Sequence, residues 1–102
     1  MATNAKIKKL IDDNEVLLFM KGNPTFPQCG FSSVACQALG SIDTSFETVD
    51  VLQDAEIREG IKIYSNWPTI PQLYIRGEFI GGADIIRELY ESGELAKIIS
   101  KE

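Results

Sequence analysis

The sequence predicts an α/β domain in which helices flank a small four-stranded mixed sheet. Three observations carry that expectation. Helical and strand-like patterns alternate in the order α-β-α-β-α-β-β-α-α. The aliphatic run from Val16 to Met20 reads as a buried strand. Gln72 to Arg76 and Glu78 to Ile80 flank Gly77, which suggests a tight hairpin. With 102 residues, 44% of them apolar, the chain suits one core and is read as a single domain over residues 1–102.

Each element has a local reason. In residues 5–13, Ile7, Leu10 and Ile11 fall at helical spacing, and residues 15–20 form the first strand. Gly22, Asn23, Pro24 and Pro27 make residues 21–28 a loop. A helix follows over residues 30–39, with Phe31, Val34, Ala35 and Ala38 on one apolar face and Gly40 as its stop. Residues 46–51 read as the second strand. The next helix covers 54–64, with Ile57, Ile61 and Tyr64 apolar. After the hairpin come two helical stretches, 83–90 and 94–100, separated by Gly93. A βαβ unit, a hairpin and closing helices make the pattern of a thioredoxin-like fold.

Composition excludes several functions. Ten basic against fifteen acidic residues give a net charge of −5, which argues against a nucleic-acid footprint. The longest apolar run, Val16 to Met20, is too short for a membrane span or signal-peptide core. The expectation is a cytoplasmic protein, or an organellar matrix protein in processed form. With no histidine there is no imidazole base, no Cys-His pair and no histidine zinc site. Two cysteines cannot fill a four-thiolate site within one chain.

Cys29 falls at the mouth of the second helix, where unpaired N–H groups and partial positive charge favour a thiolate. From Val16 to Ile42 the sole formal charge is Lys21. The plainer reading of Cys29 is a small buried hydrophobe. Cys36 lies seven residues further along one helix, about 10 Å away at 1.5 Å per residue. That is beyond disulfide reach, and Ser32 fills the place where a resolving thiol would follow Cys29. Cys36 reads as a packing residue.

Cys29-Gly30-Phe31-Ser32 resembles the signature of the monothiol glutaredoxins. Lys21-Gly22 and Pro27 ahead of the cysteine, Trp67-Pro68-Thr69-Ile70-Pro71, and Gly81-Gly82-Ala83-Asp84 resemble that family's other landmarks, in order and at matching spacing. The resemblance implies a cis bond at Pro71 and an Ile70 backbone open to an extended ligand. It implies that Asp84 and the amides near Ala83 hold the γ-glutamyl end of glutathione, while Lys21 and Arg58 meet its glycyl carboxylate. Plainer readings stand beside these. The prolines could be turn punctuation, Asp84 a helix cap, Arg58 a solvated i,i+4 partner of Asp54 or of the neighbours of Lys62, and Trp67 either core or platform. Many members carry a cysteine where this chain has Ala83, so that route to an internal disulfide is closed.

Three functions follow as expectations. The first, and the one the motifs favour, is a carrier of a [2Fe–2S] cluster. Such a cluster wants four thiolates, and the family implies that two chains contribute Cys29 and two glutathiones supply the rest. The chain would then be a homodimer with cluster and a monomer without, serving apo iron–sulfur proteins and pairing with a BolA-like protein. The second is a glutathione-dependent thiol–disulfide oxidoreductase working weakly through one cysteine. The third is a binding scaffold with an incidental thiol.

Overall fold

In the computed structural model, which describes residues 2–42 and 44–101, the chain folds as α1 (Ala2–Asp13), β1 (Val16–Met20), α2 (Gly30–Ser41), β2 (Glu47–Asp50), a single 3₁₀ turn (Val51–Gln53), α3 (Ala55–Ser65), β3 (Gln72–Ile75), β4 (Glu78–Gly81), α4 (Ala83–Ser92) and α5 (Glu94–Ser100). The sheet order is β2-β1-β3-β4, with β1 parallel to β2 and antiparallel to β3. This is the thioredoxin-like architecture that the element order predicts.

The reason for the unbroken apolar run in β1 is visible in its two faces. Val16, Leu18 and Met20 meet α2, α4 and α5 through Ala35, Cys36, Leu39, Ile86 and Leu95. Leu17 and Phe19 meet α1 and α3 through Ile7, Ile11, Ile57 and Ile61. Side chains alternate across a strand, so a central strand covered on both faces needs apolar residues at every position. The hairpin between β3 and β4 turns through Arg76 and Gly77, both at positive φ, as the two-residue turn that matches strand twist requires.

Boundaries differ from expectation for local reasons. Asp50 ends β2 because its carboxylate accepts the Leu52 N–H at 2.9 Å and starts the 3₁₀ turn. Asp54 is the cap of α3, accepting the N–H groups of Glu56 and Ile57. It also pairs with Lys6 of α1 at 2.9 Å, so the reading of Asp54 as the partner of Arg58 does not hold. Gly40 does not stop α2. The helix continues to Ser41, whose hydroxyl bonds the Gln37 carbonyl, and Ile42 N–H closes the end on Leu39.

The apolar face assigned to α2 is also corrected. Ser32, Ala35, Cys36 and Leu39 face the sheet at helical spacing, while Phe31 and Val34 are exposed, at 64% and 39%. Phe31 lies on the flank, beside the thiol.

Candidate functional site

The thiol is placed by a short loop tied at both ends. Lys21 leaves β1 with its N–H on Ser32 Oγ at 3.0 Å, and its carbonyl accepts Gln28 N–H at 2.9 Å. Gly22, at φ +88°, donates to Asp50 Oδ1 at 2.9 Å and bridges to Pro27. Asn23 Oδ1 accepts from Thr25 and Phe26, folding the loop tip on itself. The chain then arrives at Cys29 in extended conformation, φ −153° and ψ 136°, as the N-cap residue of α2.

That position decides the chemistry of the sulfur. No full cap bond closes on Cys29 Sγ, yet the Ser32 amide facing it is the largest influence and holds its pKa below the usual thiol range. Partial burial opposes this, while the Phe31 amide, the Lys21 ammonium and the Ser32 hydroxyl add to it. Cys29 is part-exposed. Cys36 is its opposite: buried, 4.0 Å from Met20 Sδ, with its pKa pushed up by burial. The packing reading of Cys36 describes its surroundings.

Two cavities meet beside Cys29. One, about 260 Å³, is lined by Lys21, Cys29, Phe31, Lys62, Pro68, Thr69 and Ile70. The other, about 440 Å³ and largely apolar, runs past Trp67 and Pro71 to Gly82, Ala83 and Asp84 at the start of α4. They share Phe31, Thr69 and Ile70, and so form one groove with a basic end and an acidic end. Of the residues singled out in the sequence, Lys21, Cys29, Ile70, Ala83 and Asp84 line it. Arg58 lines neither cavity. Lys62, one helical turn further along α3, does. Its lysine type and unremarkable spacing gave the sequence no means to single it out.

The middle of the groove is the segment Trp67–Pro71. The Ile70–Pro71 bond is cis, and Ile70 is buried against the α1/α3 side of the core while also lining the groove. Trp67 is part-buried, 5.8 Å from Phe79, with its indole N–H buried and unpartnered. It is core on one side and groove wall on the other. At the far end Gly82 is the N-cap of α4, its carbonyl accepting the Ile86 N–H. Asp84 makes no cap bond. Its side chain is 80% exposed and 3.7 Å from Arg87, so the capping reading is replaced by a solvent-facing carboxylate in the first turn.

Among the described residues, no group of three or more His, Cys, Asp or Glu side chains could enclose a metal ion. The groove holds one thiol, that of Cys29. No helix among them is long and apolar enough to cross a membrane.

Comparison with known proteins agrees with this geometry. The glutaredoxin family profile matches residues 16–80. An uncharacterised monothiol glutaredoxin, ycf64-like, of Synechocystis is 57% identical over 97 residues, covering 95% of this chain and 91% of its own. Glutaredoxin 4 of Haemophilus influenzae is 48% identical over 101 residues, covering 99% and 94%. The solution structure of reduced poplar apo GrxS14 superposes with a TM-score of 0.84 at 48% identity, covering 99% of this chain and 96% of that one. Family profile, relatives, fold and the lone thiol at the head of α2 lead to one assignment: the chain belongs to the glutaredoxin family, among its monothiol members.

Proposed function

We propose that this protein binds glutathione in the groove beside Cys29 and, as a dimer, carries a [2Fe–2S] cluster that it delivers to apo iron–sulfur proteins. The observation that carries the reading is the part-exposed Cys29 thiol at the head of α2, with no second thiol of the same chain on the groove. A cluster takes four ligands. Two Cys29 thiolates and two glutathione thiolates supply them, and a cargo half-held by a dissociable tripeptide is suited to handover. A BolA-like protein is a candidate to replace one of the two chains. The chemistry calls for a reducing compartment, cytoplasmic or organellar.

The groove supports glutathione in particular. Lys21 and Lys62 line the basic end suited to the glycyl carboxylate, and Arg58 lies one turn back on α3, outside that lining. The exposed Asp84 suits the α-ammonium, and the first amides of α4, at Ala83 and after it, suit the γ-glutamyl carboxylate. Ile70 offers its backbone to the cysteinyl residue between them.

The decisive experiment is anaerobic reconstitution with iron, sulfide and glutathione. The expected product is brown and dimeric, and turns colourless and monomeric when glutathione is removed. Cys29→Ser should abolish the colour and Cys36→Ser should keep it. A cluster of unchanged yield on Cys29→Ser refutes the assignment.

The depressed pKa of Cys29 favours a second, weaker activity. The thiolate would attack the glutathione sulfur of a protein–glutathione disulfide, releasing the protein as thiolate and forming a Cys29–glutathione disulfide. A second glutathione thiolate would then attack that bond, giving oxidised glutathione and regenerating Cys29. One cysteine suffices. Turnover of a glutathionylated peptide tests it.

A further inference from the structure

Two polar side chains are wholly buried among the described residues, Ser32 and Gln72. Ser32, in the first turn of α2, ties down the thiol's loop by accepting the Lys21 N–H. Gln72 opens β3 directly after Pro71, and every polar atom of its amide has a partner. Nε2 donates to the carbonyls of Trp67 at 3.1 Å and Thr69 at 3.2 Å, and Oε1 accepts from the Tyr74 hydroxyl at 3.3 Å. The orientation of the amide is fixed by its neighbours, since two carbonyls can only accept. Burial pushes the Tyr74 pKa up to about 12, so its hydroxyl remains a donor at ordinary pH.

The segment that Gln72 holds is poor in donors of its own. Pro68 and Pro71 have no N–H, and the Trp67 N–H is already spent on the Lys62 carbonyl and Ser65 Oγ, both at 3.1 Å. What orients the rest is the side chain beneath it. In a planar trans peptide the C=O and the following N–H point in opposite directions. With the Thr69 carbonyl turned inward onto Gln72, the Ile70 N–H must point outward, into the groove beside Cys29.

We propose that Gln72 is the positioning residue of the groove: by fixing the Trp67 and Thr69 carbonyls inward it aims the Ile70 N–H at the bound tripeptide. The inference rests on the glutathione reading above, and it assigns affinity for the ligand's central residue to a side chain that never touches the ligand.

The test compares Gln72→Met, which keeps length and loses both donors, with Tyr74→Phe, which removes a hydrogen bond from the same network without freeing the loop. Glutathione affinity is read by calorimetry, and Cys29 alkylation against pH is read in parallel. Gln72→Met should weaken glutathione by about tenfold, the scale of a lost hydrogen bond, and leave the alkylation profile in place. Tyr74→Phe should stay within about twofold of the parent. A folded Gln72→Met chain with parental affinity overturns the proposal, as does equal loss in both variants. Amide hydrogen exchange in the parent gives a reading independent of any variant. The Ile70 N–H should exchange freely without glutathione, whereas protection in the free chain means that it points inward and overturns the inference. A parent that fails to bind glutathione while its Ile70 amide exchanges freely sinks the functional reading and leaves the loop geometry standing.

Discussion

Replacing Gly22 by alanine perturbs the one residue on which the thiol's loop turns. Gly22 sits at φ +88°, and a Cβ built there lies 2.5 Å from the Phe26 carbonyl oxygen, 2.7 Å from the Gln28 nitrogen and 2.9 Å from Gln28 Cγ. Two of those atoms are backbone, so the loop must open to admit the methyl group. A left-handed conformation costs a residue with a side chain about 1–2 kcal/mol, and overpacking against atoms that cannot swing away adds about 1–3 kcal/mol. The expected loss is about 2–5 kcal/mol, which moves a urea midpoint down by about 1–2.5 M at a slope of about 2 kcal/mol/M, the middle of the range for small proteins. The same substitution at Gly40, in α2 with nothing within 4 Å of the new Cβ, should stabilise the chain by about 0.5–1 kcal/mol through helix preference. Opposite signs from one chemical change isolate the environment as the cause. Gly22→Ala within about 0.5 kcal/mol of the parent, the range of an ordinary surface change, would refute the reasoning.

Other expectations follow from the same geometry. Because the fold lowers the Cys29 pKa, its alkylation should persist to lower pH than that of an ordinary thiol, and Lys21→Met should shift the profile upward. The sign for stability is that of a depressed acid: the contribution is present above the unfolded thiol value near 8.5, and is lost as pH falls through the folded value. A Cys29 profile matching that of free cysteine contradicts the assignment of the α2 amides. Leu18→Ala empties a site at 0% exposure in a central strand and should cost about 2–5 kcal/mol by urea unfolding; a cost below about 1 kcal/mol means the core there collapses freely.

How much was legible in the sequence depended on how local each feature's cause is. β1 could be read because a run of five apolar residues, too short for a buried helix, fits a strand covered on both faces. α3 could be read because Asp54 and the Ile57–Ile61 spacing are local signals. Gly40 misled because glycine after an apolar stretch marks many helix ends, whereas here Ser41 and Ile42 supply the closing bonds. Phe31 misled because aromatic character predicts burial, while this Phe31 forms a groove wall that a ligand would cover. Lys62 and Gln72 could not have been found. A lysine becomes a groove residue only when α3 and the Trp67–Pro71 segment meet, and a strand glutamine becomes a buried anchor only when the prolines above it remove the competing donors.

Lys21 joins two properties that are otherwise carried by separate parts of the chain. Activation of the thiol is local, arising from the amides of Phe31 and Ser32, whereas the groove is assembled from α3, the Trp67–Pro71 segment and the start of α4. Among the described charged residues, Lys21 alone acts on both: it lowers the Cys29 pKa and lines the cavity assigned to the glycyl carboxylate. A carboxylate bound at Lys21 offsets part of the positive charge that favours the thiolate, so ligand binding should raise the Cys29 pKa. Linkage makes the effect reciprocal, and ionising Cys29 must weaken the ligand by the same factor. S-methylglutathione, which has no titrating thiol, should therefore bind less tightly above the Cys29 titration than below it, and the difference should shrink in Lys21→Met. An affinity that stays flat through the titration would mean that the carboxylate does not sit near Lys21, and would reverse the orientation of the tripeptide in the groove.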